Sequence, residues 1–164
     1  MNLIYDRTAE DVERALALAK KAEAGTLTDA EKTEWLAGMK GCYNAADMNR
    51  VEAAVQTLAA ELNAAGYAVE IMPQSFAETD IVRLSQWRQY LANVQALRDA
   101  YYTLAETGEL PGAEDRLDYI GANTVEKILA DIDLLIGWMK SSYRRCGTFR
   151  AGNNAAHLPL KGSA

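Results

Sequence analysis

The chain has 164 residues, of which 49% are hydrophobic and 24% are charged, and its net charge is −6. This length suits one folded domain, and the composition is that of an ordered soluble protein rather than of a disordered one. Two cysteines and one histidine are too few for a disulfide framework or for a metal site built from several Cys or His ligands.

The sequence contains no apolar run long enough for a membrane span, and its N-terminus lacks the basic start and apolar core of a signal peptide. We therefore expect no membrane insertion, and a protein that is made in the cytosol and stays there or leaves by lysis.

Charge is distributed unevenly along the chain. Residues 137–164 contain five cations and no acid and therefore carry a charge of +5. Because the net charge of the whole chain is −6, residues 1–136 carry −11. An acidic body argues against nucleic acid as the main partner. Opposite charges on the two parts favour head-to-tail association with neighbouring molecules.

Capping boxes predict the first two helices. Thr8 is followed three residues later by an acid, and apolar residues at helical spacing continue to 24–25, where Ala-Gly ends the first helix. Thr28 and Glu31 form a second capping box, which predicts a short helix that ends within residues 38–41.

A third helix is predicted from Asn44, which caps a segment with Asp47 in its first turn, to Gly66. Residues 67–73 (YAVEIMP) alternate in polarity but end at a proline, so they predict a short extended connector and no sheet.

Two longer helices are predicted after the connector. The fourth runs from about Asp80 to Ala105 on near-heptad apolar spacing. The fifth begins with a capping box at Asn123 and Glu126, and its apolar stripe, the widest in the chain, continues to Tyr143. We expect the fifth helix to be central in a bundle.

The pattern changes after Arg145, so residues 1–145 are predicted to form a helical bundle domain and residues 146–164 an extended basic arm. The arm lacks a periodic apolar face. Its candidate contact residues, together with the last residue of the bundle, are Arg145, Phe149, Arg150, Leu158, Leu160 and Lys161.

Catalytic and cofactor signals are weak. The single histidine, His157, lies in the arm, away from any predicted frame for a nucleophile. Asp131 and Asp133 project in different directions from a helix and are predicted to lie on a solvated face. No phosphate-binding glycine motif occurs, so no cofactor and no catalytic residue is predicted.

Gly38-Met39-Lys40-Gly41 lies between two predicted helices, as does the GxxG loop of nucleic-acid-binding KH domains. That fold also needs three strands and a basic groove. The acidic body therefore favours a tight helix corner, in which the glycines supply positive φ, Trp35 and Tyr43 close the end of the bundle, and Asn44 caps the next helix.

The chain contains RTAEDVER at residues 7–14 and, within residues 27–67, EWLAGMKGCYNAADMNR at 34–50. These segments, and above all 34–50, resemble a family of small proteins and domains encoded among tail and baseplate genes of phages and prophages of Gram-positive bacteria. The resemblance extends over most of residues 7–149. It implies a virion structural role without enzymatic activity. The motif positions, which we take as fold-signature or interaction residues, are Trp35, Gly38, Lys40, Gly41, Tyr43, Asn44, Asp47, Asn49 and Arg50.

The sequence thus predicts an all-α bundle of four to five helices with an extended C-terminal arm, acting as a structural subunit or adaptor in the tail region of a virion. The expected partners are other tail or baseplate proteins or copies of the chain in a homo-oligomer. One alternative is a cytosolic regulatory protein that binds a partner through the aromatic residues 87, 90, 101 and 102 of the fourth helix. Another is a small enzyme that uses carboxylates in a helical cleft.

Overall fold

The structure, a computed structural model, describes residues 1–146, with side chains to residue 142. Five helices lie in this range: α1 (Ala9–Glu23), α2 (Asp29–Leu36), α3 (Ala45–Ala64), α4 (Leu84–Ala100) and α5 (Tyr119–Cys146). No strand occurs among the described residues, so the predicted all-α class is confirmed. No helix in this part of the chain combines the length and apolar character needed to cross a bilayer.

The first three helices begin where their capping residues predict. Thr8, Thr28 and Asn44 each accept a hydrogen bond from the backbone N–H of the third helical residue, whose acidic side chain accepts from the N–H of the cap. Gly25 and Gly66 follow the ends of α1 and α3 with φ of 67° and 95°. These left-handed conformations suit glycine and end each helix.

The fourth helix is shorter than predicted. It begins at Leu84 and ends at Ala100, so the predicted start near Asp80 and end at 105 were wrong. The Asp80 carboxylate accepts from a backbone N–H three residues earlier, at 2.7 Å, and so stabilises a turn before the helix. At the true start, the Gln86 side chain accepts from the backbone N–H of Arg83.

The predicted start of α5 at Asn123 was also wrong, because the helix begins one turn earlier at Tyr119. Asp118 Oδ1 accepts from the N–H of Gly121 at 2.7 Å and provides the N-terminal cap. Asn123 therefore lies inside the helix, where its side chain is free to bind another segment.

The main core lies between α3, α4 and α5, each of which packs against the other two. The predicted central helix α5 supplies five fully buried aliphatic residues, and the stripe identified in the sequence faces this core: Val125, Ile128, Leu129, Ile132 and Ile136. In α1, Ala15 and Leu18 are buried outside the main core cluster.

The connector between α3 and α4 has no regular secondary structure at residues 67–77, and asparagine side chains form hydrogen bonds with part of its backbone. Three asparagines each donate to the carbonyl and accept from the N–H of one connector residue at 2.8–3.0 Å. An adjacent strand would normally make this pair of bonds. The pairs are Asn63 with Val69, Asn93 with Met72, and Asn49 with Phe76.

Candidate functional site

Several motif residues meet at one end of the bundle, around a group of four charged side chains that we call the buried charge cluster: Arg7, Asp47, Arg50 and Glu126. A terminal nitrogen of Arg7 lies 2.7 Å from Glu126 Oε1 and 3.1 Å from Asp47 Oδ1. Arg50 bonds the same two carboxylates, with distances of 2.8 and 3.1 Å to Glu126. Arg7 is 4% exposed and Glu126 is 0% exposed.

The cluster balances two cations against two anions, which buried charges require. Asp47 comes from the first turn of α3, Arg50 lies three residues later, and Glu126 comes from α5. Burial lowers the pKa of Arg50, but its hydrogen bonds to Glu126 and Asp47 outweigh that effect and raise the pKa above its usual value. Both arginines therefore hold the two carboxylates in place as acceptors.

The cluster also fixes the N-terminal segment on α5. Asn123 accepts from the N–H of Arg7 at 3.0 Å and donates to its carbonyl at 2.9 Å, a fourth example of the asparagine pairing seen along the connector. The N–H of Ile4 donates to Glu126 at 2.6 Å. Arg7 Nε donates to the carbonyl of Lys40 at 3.1 Å, which connects the segment to the α2–α3 corner.

The two glycines of the corner have different roles. Gly38 has a φ of 87°, the positive value that we predicted, whereas Gly41 does not have positive φ. A Cβ on Gly41 would lie 2.0 Å from the backbone oxygen of Asp11. Gly41 is thus required by the close approach of the corner to the start of α1.

The aromatic motif residue Tyr43 supports Arg7. Its ring centroid lies 5.3 Å from the Arg7 guanidinium carbon, a cation–π distance, and its hydroxyl bonds the hydroxyl of Tyr90 on α4. Burial raises the pKa of Tyr43 above its ordinary value, although the bond to Tyr90 works in the opposite direction. Tyr43 therefore connects the buried charge cluster to the core.

The remaining motif residues surround this arrangement. Trp35 is half-buried on α2 and Asn44 caps α3. Lys40 Nζ pairs with Asp6 at 2.8 Å, and Asn49 holds Phe76 of the connector.

Two surface cavities lie beside the corner. One, of about 640 Å³, is lined by Arg7, Gly41, Tyr43 and the segment 116–119 before and at the start of α5. The other, of about 500 Å³, contains motif residues in its wall: Gly38, Lys40, Asn44, Asp47 and Arg50. In residues 1–146, no group of three or more His, Cys, Asp or Glu side chains is placed to hold a metal ion.

A further buried carboxyl, outside the buried charge cluster, lies beneath the connector. Glu52 is 1% exposed, and its oxygens accept from Asn93 Nδ2 at 3.3 and 3.4 Å. Burial raises its pKa, against the opposing effect of hydrogen bonds from the backbone of Gln74 and from Asn93. In the part of the chain that the structure describes, no cation pairs with this carboxyl.

The environment of Asp131 differs from the one that the sequence predicts. We expected a solvated face, but Asp131 is buried and bonds both Lys127 and the hydroxyl of Thr107, at 2.7 Å to Thr107. The loop between α4 and α5 brings Thr107 over this side of α5, which the spacing within the helix could not reveal. Asp133 is partly exposed.

The aromatic residues assigned to the fourth helix mostly face inward. Trp87 stacks on Tyr90 with ring centroids 5.1 Å apart, and Tyr90 is fully buried. Tyr101 follows the end of α4 and meets Tyr67 edge-on at 4.9 Å. Tyr102 is 69% exposed, but it lies outside the helix.

Sequence reasoning missed the roles of Arg7 and Glu126. Arg7 was part of the resemblance and Glu126 part of a predicted cap, but only their contact across the fold shows that they form one site with Asp47 and Arg50. Cys146, assigned to the arm, is the last residue of α5. The side chain of Arg145 and the arm residues Phe149, Arg150, Leu158, Leu160 and Lys161 lie outside the described part of the structure.

Comparison of the chain with family models, with curated proteins and with solved structures gave no match.

Proposed function

We propose that this protein is a non-catalytic structural subunit or adaptor of a phage tail or baseplate, which assembles with copies of itself and with neighbouring tail proteins. The observation that carries the proposal is the position of the motif at 34–50, the segment in which the chain resembles tail-region proteins most specifically. In this motif Asp47 pairs with Arg7, Arg50 pairs with Glu126, and Gly41 lies against α1. The motif therefore joins three helices and the N-terminal segment.

The chemistry of the buried charge cluster fits a structural role better than a catalytic one. A carboxylate that acts as a general base must be able to take up a proton from a substrate. Here Asp47 and Glu126 each accept hydrogen bonds from both Arg7 and Arg50, so partners within the chain already occupy their oxygens. This supports assembly over the carboxylate enzyme considered from the sequence.

The surface offers apolar contacts for assembly. Large apolar side chains that are more than two-fifths exposed occur on α5 at Leu134 and Trp138. Clusters of exposed apolar side chains are typical of protein–protein contact surfaces.

The regulatory alternative has less support, because it required an aromatic binding surface on the fourth helix. Trp87 and Tyr90 pack into the core, so α4 presents little of that surface to a partner.

Fractionation of phage particles tests the proposal. Cells that produce the chain are lysed, particles are separated from free protein on a density gradient, and an antibody against the chain is applied to the fractions and, with a gold label, to electron micrographs. The proposal predicts the chain in the particle band and gold at the tail. Detection only among free proteins would contradict it and favour the cytosolic regulator.

A further inference from the structure

An exposed apolar surface extends from the N-terminal segment onto α5. We call it the acceptor face and define it by Met1, Tyr5, Leu134 and Trp138, which are 52%, 47%, 46% and 55% exposed. The first three line one cavity of about 420 Å³. Trp138 lies four residues after Leu134 and thus on the same side of α5.

The acceptor face exists because of the buried charge cluster. Bonds from Ile4 and Arg7 to Glu126 and Asn123 hold the N-terminal segment along α5. This placement brings Tyr5 beside Leu134. Two carboxylates line the same cavity. Asp131 pairs with Lys127, which also lines the cavity, whereas Asp133 makes no ion pair with the described side chains of residues 1–142.

The C-terminal residues of the chain have the complementary chemistry. Residues 147–164 include isolated apolar anchors at Phe149, Leu158 and Leu160, two cations at Arg150 and Lys161, and no acid. Apolar side chains match the face and its cavity, and the cations match Asp133 and the net −11 of residues 1–136.

We propose that the acceptor face binds the C-terminal arm of a second copy of this chain. This inference rests on the proposed function and deepens it, because it names the surface that receives the arm. The leucines and Phe149 occupy the apolar cavity and cover Trp138, while Arg150 and Lys161 orient the arm by their attraction to the acidic body.

The positions of donor and acceptor give this contact its geometry. The described helix ends at Cys146, and Leu134 lies 12 residues earlier, about 18 Å back along α5. Each copy thus carries an arm at one point and a face at another. Reciprocal exchange of arms between two copies closes a dimer, whereas one-way exchange produces a ring or a filament.

Photo-cross-linking of the full chain tests the inference directly. Trp138→p-benzoylphenylalanine is produced both unlabelled and labelled with nitrogen-15, and the two forms are mixed in equal amounts in urea, refolded together and irradiated. Mass spectrometry of the digest identifies the peptides joined to position 138. The matched control is Ile81→p-benzoylphenylalanine, because Ile81 is 91% exposed and lies outside the acceptor face.

We expect cross-links from position 138 to residues 147–161, with mixed-isotope pairs as frequent as same-isotope pairs, and at least tenfold fewer arm cross-links from position 81. Same-isotope pairs alone would mean that the arm covers its own body and would overturn the inference. Equal yields of arm cross-links from positions 138 and 81 would also overturn the inference, as would the absence of arm cross-links from position 138.

Sedimentation velocity of full chains over a range of concentrations supplies an independent measurement. Leu134→Asp should weaken self-association at least tenfold, and Ile81→Asp should leave it unchanged, with both variants retaining the helical circular dichroism of the wild type. Equal association of all three chains would overturn the acceptor face. A chain found in particles whose association is insensitive to Leu134→Asp keeps the proposed function and loses this inference.

Discussion

Arg7 and Glu126 are 119 residues apart in the sequence, yet a guanidinium nitrogen of Arg7 lies 2.7 Å from a carboxylate oxygen of Glu126 with both side chains almost fully buried. This contact joins the start of the described chain to its last helix. Arg50 and Asp47 complete the charge balance, so that no member of the group is buried without an opposite charge.

Arg7→Ala should destabilise the protein by about 3 to 5 kcal/mol, because it leaves two buried carboxylates to share one arginine. Arg14→Ala is the matched control. Arg14 is paired with Glu34 at 2.7 Å, but its side chain is 46% exposed. Loss of that surface pair should cost much less than loss of Arg7, because solvent screens exposed ion pairs. Urea denaturation gives both values, and equal small losses would show that the buried charge cluster contributes little to stability.

Gly41→Ala should destabilise the protein by about 1 to 3 kcal/mol, because the added Cβ would overlap the backbone of α1 near Asp11. Gly137→Ala provides the opposite case, since Gly137 lies within α5 and its new Cβ would meet open space. That change should stabilise the helix by about 0.5 to 1 kcal/mol. Thermal midpoints distinguish the two, and a neutral Gly41→Ala would remove close approach as the reason for this glycine.

Asn49→Ala should remove the contact that holds the connector at Phe76. The side-chain amide of Asn49 makes two hydrogen bonds to the backbone of Phe76, at 2.8 and 2.9 Å. Their loss should lower the free energy of unfolding by about 1 to 3 kcal/mol. Amide hydrogen exchange should accelerate at Phe76 more than at Val69. Asn63→Ala should produce the reverse pattern, because Asn63 binds Val69. If both variants affect both amides equally, the connector opens as one unit and the asparagines do not act separately.

Glu52 should make stability depend on pH, because its pKa is higher in the folded state, where burial disfavours the charged form, than in the unfolded chain. The stabilisation linked to its protonation is therefore complete below the unfolded value of about 4.3 and is lost as the pH rises through the folded value.

In Glu52→Gln this titration is absent. The unfolding free energy of the variant minus that of the wild type should thus increase as the pH is raised from about 4 to about 7. Urea denaturation at a series of pH values measures this difference. A difference that does not change with pH would show that Glu52 titrates alike in the folded and unfolded chains.

Local sequence signals predicted the parts of the fold that local chemistry determines. Thr8, Thr28 and Asn44 begin the first three helices because each capping box is complete within four residues. The same pattern at Asn123 and Glu126 did not start a helix. Those side chains bind Arg7 and Ile4, more than a hundred residues away in the chain.

The candidate site could be predicted only in part for the same reason. The sequence identified Asp47 and Arg50 as motif residues, but it could not identify Glu126 as a partner of Arg50. Likewise, the burial of Asp131 depends on Thr107 in a long loop, which helical periodicity does not describe. Contacts between distant segments decide these features.

Assembly through the C-terminal arm is the central claim, and incorporation of the chain into particles tests that claim most directly. The full chain and a chain ending at Cys146 are each produced as the sole copy in cells that make particles, and immunoblots measure each chain in the gradient-purified particle band. We predict that the full chain enters particles and the shortened chain does not, while its stability stays within about 1 kcal/mol of the full chain. Equal incorporation of a folded shortened chain would contradict the account.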